Sequence, residues 1–394
     1  MKILVACDGV LYPPRSGAAK RSLQLLVPLA RRHTVDCLTL RVEGWEKHPV
    51  LGSTESWGAE FRELCRTYEI CTVEVQSMTL KYKYVWYSQQ FAKRLEQLVV
   101  KEQYDGVVAI SKTVALHLQG LALGNVLLDL NDADEMSHRR AALHGRDLRD
   151  RLKAVKNLLF LQLFRRRVLS KFRHLIVVCE TDAQFLRRQL PHSAVHVIPL
   201  GVDPSFVEEA AVEEDGVLMF HGTLGTAHNH DAAMFLLEEI FPKLSESHPN
   251  AQLWLVGPGA RPSLVELASR RKNVTLTGYV PDVRPYLRRA AVYFCPHETG
   301  AGTKTKLLEA WAMGKAAVAS PVAIEGLPVR AGQHVLVADS PAEYLRAASR
   351  LLGDQQLRRS IGGEARRLVQ ESFLPEALSA QLEALLAGLS SGNV

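Results

Sequence analysis

Twice along the chain a short, continuous apolar run leads into a polar, glycine-bearing loop, then a helix-patterned stretch, then a second apolar run. The first set is KILVAC, DGVLYPPRSGAAK, SLQLLVPLARR and TVDCLTL; the second is GVLMFH, GTLGTAHNH, DAAMFLLEEIFPKL and AQLWLVG. In the second set Ala233, Leu236, Leu237, Ile240 and Leu244 recur at helical spacing, which makes one buried face. Apolar runs that do not alternate are strands covered on both sides, so the pattern predicts parallel sheets with helices on each face. Further strand-like runs follow in each half: YDGVVAI, NVLLDL and HLIVVC, then NVTLTG, AVYFC, AAVAS and HVLVA. The fold class expected is α/β, with two doubly wound, Rossmann-like domains facing across a cleft. A chain of 394 residues is long enough for two such cores. The joint is expected in the Pro-, Gly- and Glu-rich stretch PHSAVHVIPLGVDPSFVEEAAVEEDG, near Pro204, which divides the chain into 1–203 and 204–394. Three helices from Pro341 onward are assigned to the second domain.

Ligands of open α/β sheets bind at the C-terminal strand ends, where helix N-termini point at them. The strand AVYFCP is followed by HETGAGTKTKLLEAWAMGKAAVAS, from His297 to Ser320. Its small residues allow several backbone N–H groups to converge, Thr303 or Thr305 can cap the following helix, and Gly314 can end it. The helix dipole with Lys304 and Lys306 makes this a place for a diphosphate. Glu309, about one turn in, can accept hydrogen bonds from the vicinal hydroxyls of a ribose. The competing reading is a glycine turn, two solvated lysines and a surface glutamate; the concurrence of loop, cations and carboxylate favours the nucleotide.

The runs GAGTKTKLLEAWAMGKAAVAS, HVIPLGVD and VVCETDAQFL, with the N-terminal ILVACDGVLYPPRSGAAKRSLQLLVPLARRHTVDCLTL, resemble retaining glycosyltransferases of the large family four, which have the GT-B fold. The closest resemblance is to a branch found in bacterial polysaccharide and exopolysaccharide clusters. The resemblance implies transfer of a sugar from a nucleotide diphosphate sugar to an acceptor hydroxyl, with retention and without a metal or cofactor. It implies that Glu309 grips the donor ribose, that Gly302, Thr303 and Lys304 surround the diphosphate, and that Tyr279 and Val280 pack on the base. Two departures stand out. The family's first glutamate would fall at Ala301 or Gly300, where there is no carboxylate, and Glu298 is out of register. Its Arg/Lys pair after the first strand of the second domain is replaced by HGTLGTAHNHD, with Thr223 and Asn229 in the approximate places. Neutralising the leaving diphosphate then falls mainly to Lys304 and Lys306. Two other readings stay open: a nucleotide-sugar 2-epimerase-like enzyme, and a non-catalytic homologue that binds nucleotide sugar.

In the first domain Gly17 allows close backbone approach to the donor, and Arg21 starts the following helix as an acceptor-side candidate or an exposed helix charge. His221 and Gly222, directly after a strand, are placed beside the donor, as is Thr223. Asp132 and Asp134, in LLDLNDADEMSH, imitate a metal-binding Asp-x-Asp, but facing the acceptor or capping a helix is preferred. His192 and His196 lie in an extended run where they do not converge as on a helix. No metal site is expected.

The remaining classes follow from charge and hydropathy. The formal net charge is +6, and residues 139–173 hold twelve Lys/Arg against two Asp. That patch suits an anionic membrane or an acidic substrate; no nucleic-acid module accompanies it. Within it NLLFLQLF followed by RRR can lie on a membrane surface, or pack on its own sheet with the arginines in solvent. A glycan or lipid-linked acceptor fits the resemblance. The six cysteines show no CxxC spacing and read as reduced, inert thiols. No apolar run spans a bilayer and MKILVACDGV reads as a strand, so the expected location is cytoplasmic, with the inner membrane face as an option.

Overall fold

The computed structural model describes the chain apart from residues 10, 12–16, 44–54, 75–77, 83–84, 120, 122–123, 132–134, 136–137, 140–141, 144–147, 209–212, 299–304 and 391–394. It divides into two compact units, one of Met1–Pro199 with Pro375–Val394, the other of Leu200–Leu374.

The first unit holds strands β1 (Lys2–Asp8), β2 (Thr34–Val42), β3 (Thr67–Val73), β6 (Gly106–Ile110), β7 (Val126–Asp129), β8 (His174–Val177) and β9 (Ala194–Val197), in the order β3-β2-β1-β6-β7-β8-β9. A separate hairpin joins β4 (Thr79–Tyr82) to β5 (Val85–Tyr87). The pairings within the seven-stranded sheet are parallel. Along β1 the side chains divide between two cores: Leu4 and Ala6 face one, and Ile3, Val5 and Cys7 the other. This is the two-sided burial that a continuous apolar strand encodes.

The second unit repeats the plan with β10 (Val217–His221), β11 (Gln252–Val256), β12 (Val274–Leu276), β13 (Val292–Cys295), β14 (Ala316–Ala319) and β15 (Leu336–Val337), ordered β12-β11-β10-β13-β14-β15. Leu218 and Phe220 face one core, Val217 and Met219 the other. Both sheets reverse strand order beside their first strand, as doubly wound sheets do. The expected fold class of two Rossmann-like α/β units is the one observed.

Two details differ from the expectations. The division falls between Pro199 and Leu200, and the last helix, Pro375–Ser390, belongs to the first unit instead of the second. The reason is apolar burial: Leu378, Leu382 and Leu386 are fully buried in the core formed by Ile3, Val5, Leu23, Leu26 and Ile176. The helix lies so close to β6 that a Cβ on Gly106 would come 2.6 Å from Leu386 Cδ2. The other difference is a π turn at Leu236–Ile240 between the helices Ala227–Phe235 and Phe241–Ser247. Pro242, which cannot donate a backbone hydrogen bond, sits just beyond it.

Candidate functional site

The C-terminal ends of the second sheet bring the site together. His221 ends β10, and Tyr293, on the neighbouring β13, shares its face because Met219 pairs with Tyr293. Over that face lies the helix Thr305–Ala312, whose Leu307, Leu308, Trp311 and Ala312 are fully buried. Gly314, with φ +71°, closes the helix in the left-handed conformation expected of a C-terminal glycine.

Glu309 comes down from this helix, and its Oε2 is 3.0 Å from His221 Nε2. On the other side of the ring Nδ1 is 3.1 Å from the Tyr293 hydroxyl. Burial, and then the nearby Cys295 and Glu309, push the Tyr293 phenol far above its ordinary range, so it keeps its proton. In the neutral imidazole the phenol O–H then donates to Nδ1, and Nε2–H donates to the carboxylate. Glu309 is held by His221 through Oε2 and is partly exposed.

A second polar cluster lies beside it, on the face that carries Phe220. Asn229 Oδ1 accepts from Lys306 Nζ and from His297 Nε2, the latter at 3.0 Å, while Asn229 Nδ2 donates to the Thr223 carbonyl at 3.0 Å. Lys306 Nζ also lies 5.4 Å from the centre of the Phe220 ring. Two glycine turns make room for these groups. Gly222, φ +152°, donates its N–H to the Val256 carbonyl, and a Cβ there would come 2.9 Å from Asn229 Nδ2 and 3.0 Å from Lys306 Nζ. Gly257, φ +134°, crosses so closely that its Cβ would lie 2.0 Å from the Gly222 oxygen. Only glycine fits there.

The expected site residues thus divide into groups. His221, Gly222, Thr223, Lys306 and Glu309 come together at these strand ends. Val280 packs, half-buried, against the core that includes Val202 and Leu287, whereas Tyr279 is 76 % exposed. Gly302, Thr303 and Lys304 lie outside the described residues, as do Gly300, Ala301, Asp132 and Asp134. Glu298 is exposed. Sequence reasoning passed over Tyr293 and His297, the first because it sits inside an apolar strand run. Its β13 register, which sets it beside His221, is the only signal and needs the strand order.

In the first unit Gly17 is the first residue of the helix Gly17–Arg32. Arg21 is neither exposed nor open: it is buried, paired with Asp129 through Nη1, and donates through Nη2 to the Ile198 carbonyl at 3.0 Å. The pair ties the first helix to the ends of β7 and β9. Two non-glycine residues with positive φ, Ser111 (+93°) and Asn131 (+61°), follow β6 and β7 at the same edge. Ser111 caps the helix Lys112–His117, accepting from the Thr113 and Val114 N–H groups. Asn131 lies in the left-handed region that asparagine tolerates, whereas Ser111 holds a backbone conformation that L-residues rarely adopt.

Comparisons with known proteins follow the same two units. Residues 215–354 match the family model "Glycosyl transferases group 1", and residues 15–206 match "Glycosyltransferase Family 4". No curated protein matches the chain. Among solved structures, sucrose-phosphate synthase from Thermosynechococcus elongatus superposes with a TM-score of 0.66 at 18 % identity, covering 99 % of each chain. HepE of Anabaena, determined in complex with UDP and glucose, has a TM-score of 0.62 at 14 % identity over 98 % of this chain and 100 % of its own. WaaG, a glycosyltransferase involved in lipopolysaccharide biosynthesis, has a TM-score of 0.57 at 15 % identity over 96 % of this chain and 99 % of its own. At these identities the likeness is one of fold.

Proposed function

We propose that this chain, a glycosyltransferase of the GT-B type, moves a sugar from a nucleotide diphosphate sugar to an acceptor hydroxyl, retaining anomeric configuration and using no metal, in bacterial glycan or polysaccharide assembly. The observation that supports the donor assignment is the chain Tyr293–His221–Glu309, which orients a carboxylate at the C-terminal strand ends. Glu309 accepts the ribose hydroxyls with its carboxylate. Lys306, Lys304 and the N–H groups preceding the Thr305–Ala312 helix stabilise the diphosphate as its bond to the anomeric carbon breaks. The acceptor oxygen forms its new bond on that same face of the sugar, and its proton passes to the leaving phosphate oxygen. Catalysis is then largely electrostatic, by donors preorganised toward charge that appears only in the transition state. The complex of HepE with UDP and glucose favours a nucleotide-sugar donor here too.

Calorimetric titration of UDP, GDP and dTDP in the presence of EDTA tests this on the wild type and on Glu309→Ala. The expected outcome is tight, EDTA-insensitive binding of one nucleotide that weakens by about 2 kcal/mol in the variant, the cost of leaving charge-assisted hydrogen bonds unmade. Binding that requires Mg²⁺ and ignores Glu309 overturns the assignment.

A further inference from the structure

Six of the eleven exposed large apolar side chains among the described residues lie on one helix, Leu148–Arg167 of the first unit. Leu148, Leu152, Val155, Leu159 and Leu163 follow one another at steps of three or four residues, so at about 100° per residue they occupy one arc of about 80°. Phe160 borders it. Ala154, Asn157, Leu161 and Phe164, on the opposite side, are buried against the unit. The helix is therefore apolar on both faces, and only one is used by the fold. A stripe of this size on a surface signals a partner.

Charge indicates which partner. The twenty residues hold seven Lys/Arg and one Asp. On the helical wheel Arg149, Lys156 and Arg167 flank the stripe on one side and Arg151 on the other, and all four are exposed. Long basic side chains beside an apolar stripe can reach up to headgroup level while the leucines enter the acyl boundary. Two copies of this helix pressed together would oppose like charges along their length. An anionic bilayer meets both features at once. No described helix is long and apolar enough to cross a membrane, which leaves an in-plane mode.

We propose that the outward face of the Leu148–Arg167 helix docks on an anionic lipid surface. The proposal stands apart from the donor reading, which rests on His221, Tyr293, Lys306 and Glu309 of the other unit. The test is flotation of the full chain with phosphatidylcholine vesicles, with and without phosphatidylglycerol, at low and high salt. Light scattering gives the mass in solution, and UDP, GDP and dTDP titrations run in parallel. The wild type is expected to float only with anionic vesicles and to be released by salt. Leu152→Glu with Leu159→Glu should weaken partitioning by about a hundredfold, roughly tenfold per leucine withdrawn. Arg149→Gln, Lys156→Gln and Arg167→Gln together should abolish the preference for anionic vesicles, and these solvent-facing changes leave the packed side of the helix untouched. Nucleotide binding should be unaltered in both variants. Failure of the wild type to float, or equal flotation of the leucine variant, overturns the proposal. So does a dimer in solution that the leucine changes split, since that assigns the stripe to a second copy.

Discussion

At the scale of single residues, position in the sheet decides what a side chain does. His221 is legible in the sequence as a histidine that leaves a strand. Its pairing with Tyr293 is not, because the two are 72 residues apart and meet only through the β10–β13 register. Arg21 shows the reverse: a cation at a helix start, open to an acceptor on paper, is neutralised by Asp129, which lies 108 residues away. Lys315 makes a residue-scale prediction. It is fully buried just before β14 and donates to the Arg288 carbonyl at 2.7 Å. Burial pushes its ammonium down to about 8, with the Glu213 carboxylate opposing the fall and the Arg358 guanidinium adding to it. Because the folded pKa lies below the unfolded one, the folded state sheds a proton that the unfolded chain still holds between them, and stability rises with pH across that window. Below it the cost of the buried charge is fully present. Denaturant unfolding should show the wild type gaining up to about 3 kcal/mol relative to Lys315→Met from about pH 8 to about pH 10. A difference that stays flat with pH would refute this.

At the scale of elements, the site depends on backbone crossings as much as on side chains. The loop after β10 and the turn after β11 touch at Gly222 and Gly257, leaving room for Asn229 and Lys306 but for no Cβ. The sequence displays glycines after both strands, and the reading of GTLGTAHNH as a ligand loop follows from them. Which glycine is indispensable appears only once the two turns are seen to cross. Gly257→Ala should therefore cost about 1–3 kcal/mol of stability from the backbone conformation alone. It should also weaken nucleotide binding, because the clash moves the loop that carries Thr223. Thermal melts read the first effect and calorimetry the second; a variant with both unchanged would show that the turns relax freely. The π turn at Leu236–Ile240 was likewise hidden from a periodicity argument, since i, i+3, i+4 spacing of apolar residues survives the one-residue slip.

At the scale of the whole molecule, chain order and structural order part company at the C-terminus. The chain leaves the first unit at Pro199, builds the second, and returns at Pro375 with a helix whose leucines finish the first core. Removal of residues 375–394 should thus lower the melting transition of the unit formed by Met1–Pro199, while that of Leu200–Leu374 and its nucleotide binding persist. Differential scanning calorimetry would separate the two. Loss of the second unit's transition instead would show that its fold leans on the returning helix.

The sequence by itself determined the class of fold, the two-unit plan, and the helix with Lys306 and Glu309, because each follows from local periodicity, glycine placement and charge within a few residues. Tertiary structure alone decided the pairing of His221 with Tyr293, the burial of Arg21, the unit that owns the last helix, and the outward turn of the Leu148–Arg167 stripe. Those outcomes depend on which distant strands become neighbours and which of two apolar faces finds a core. Hydrophobic patterning records that a face is apolar, but not what covers it.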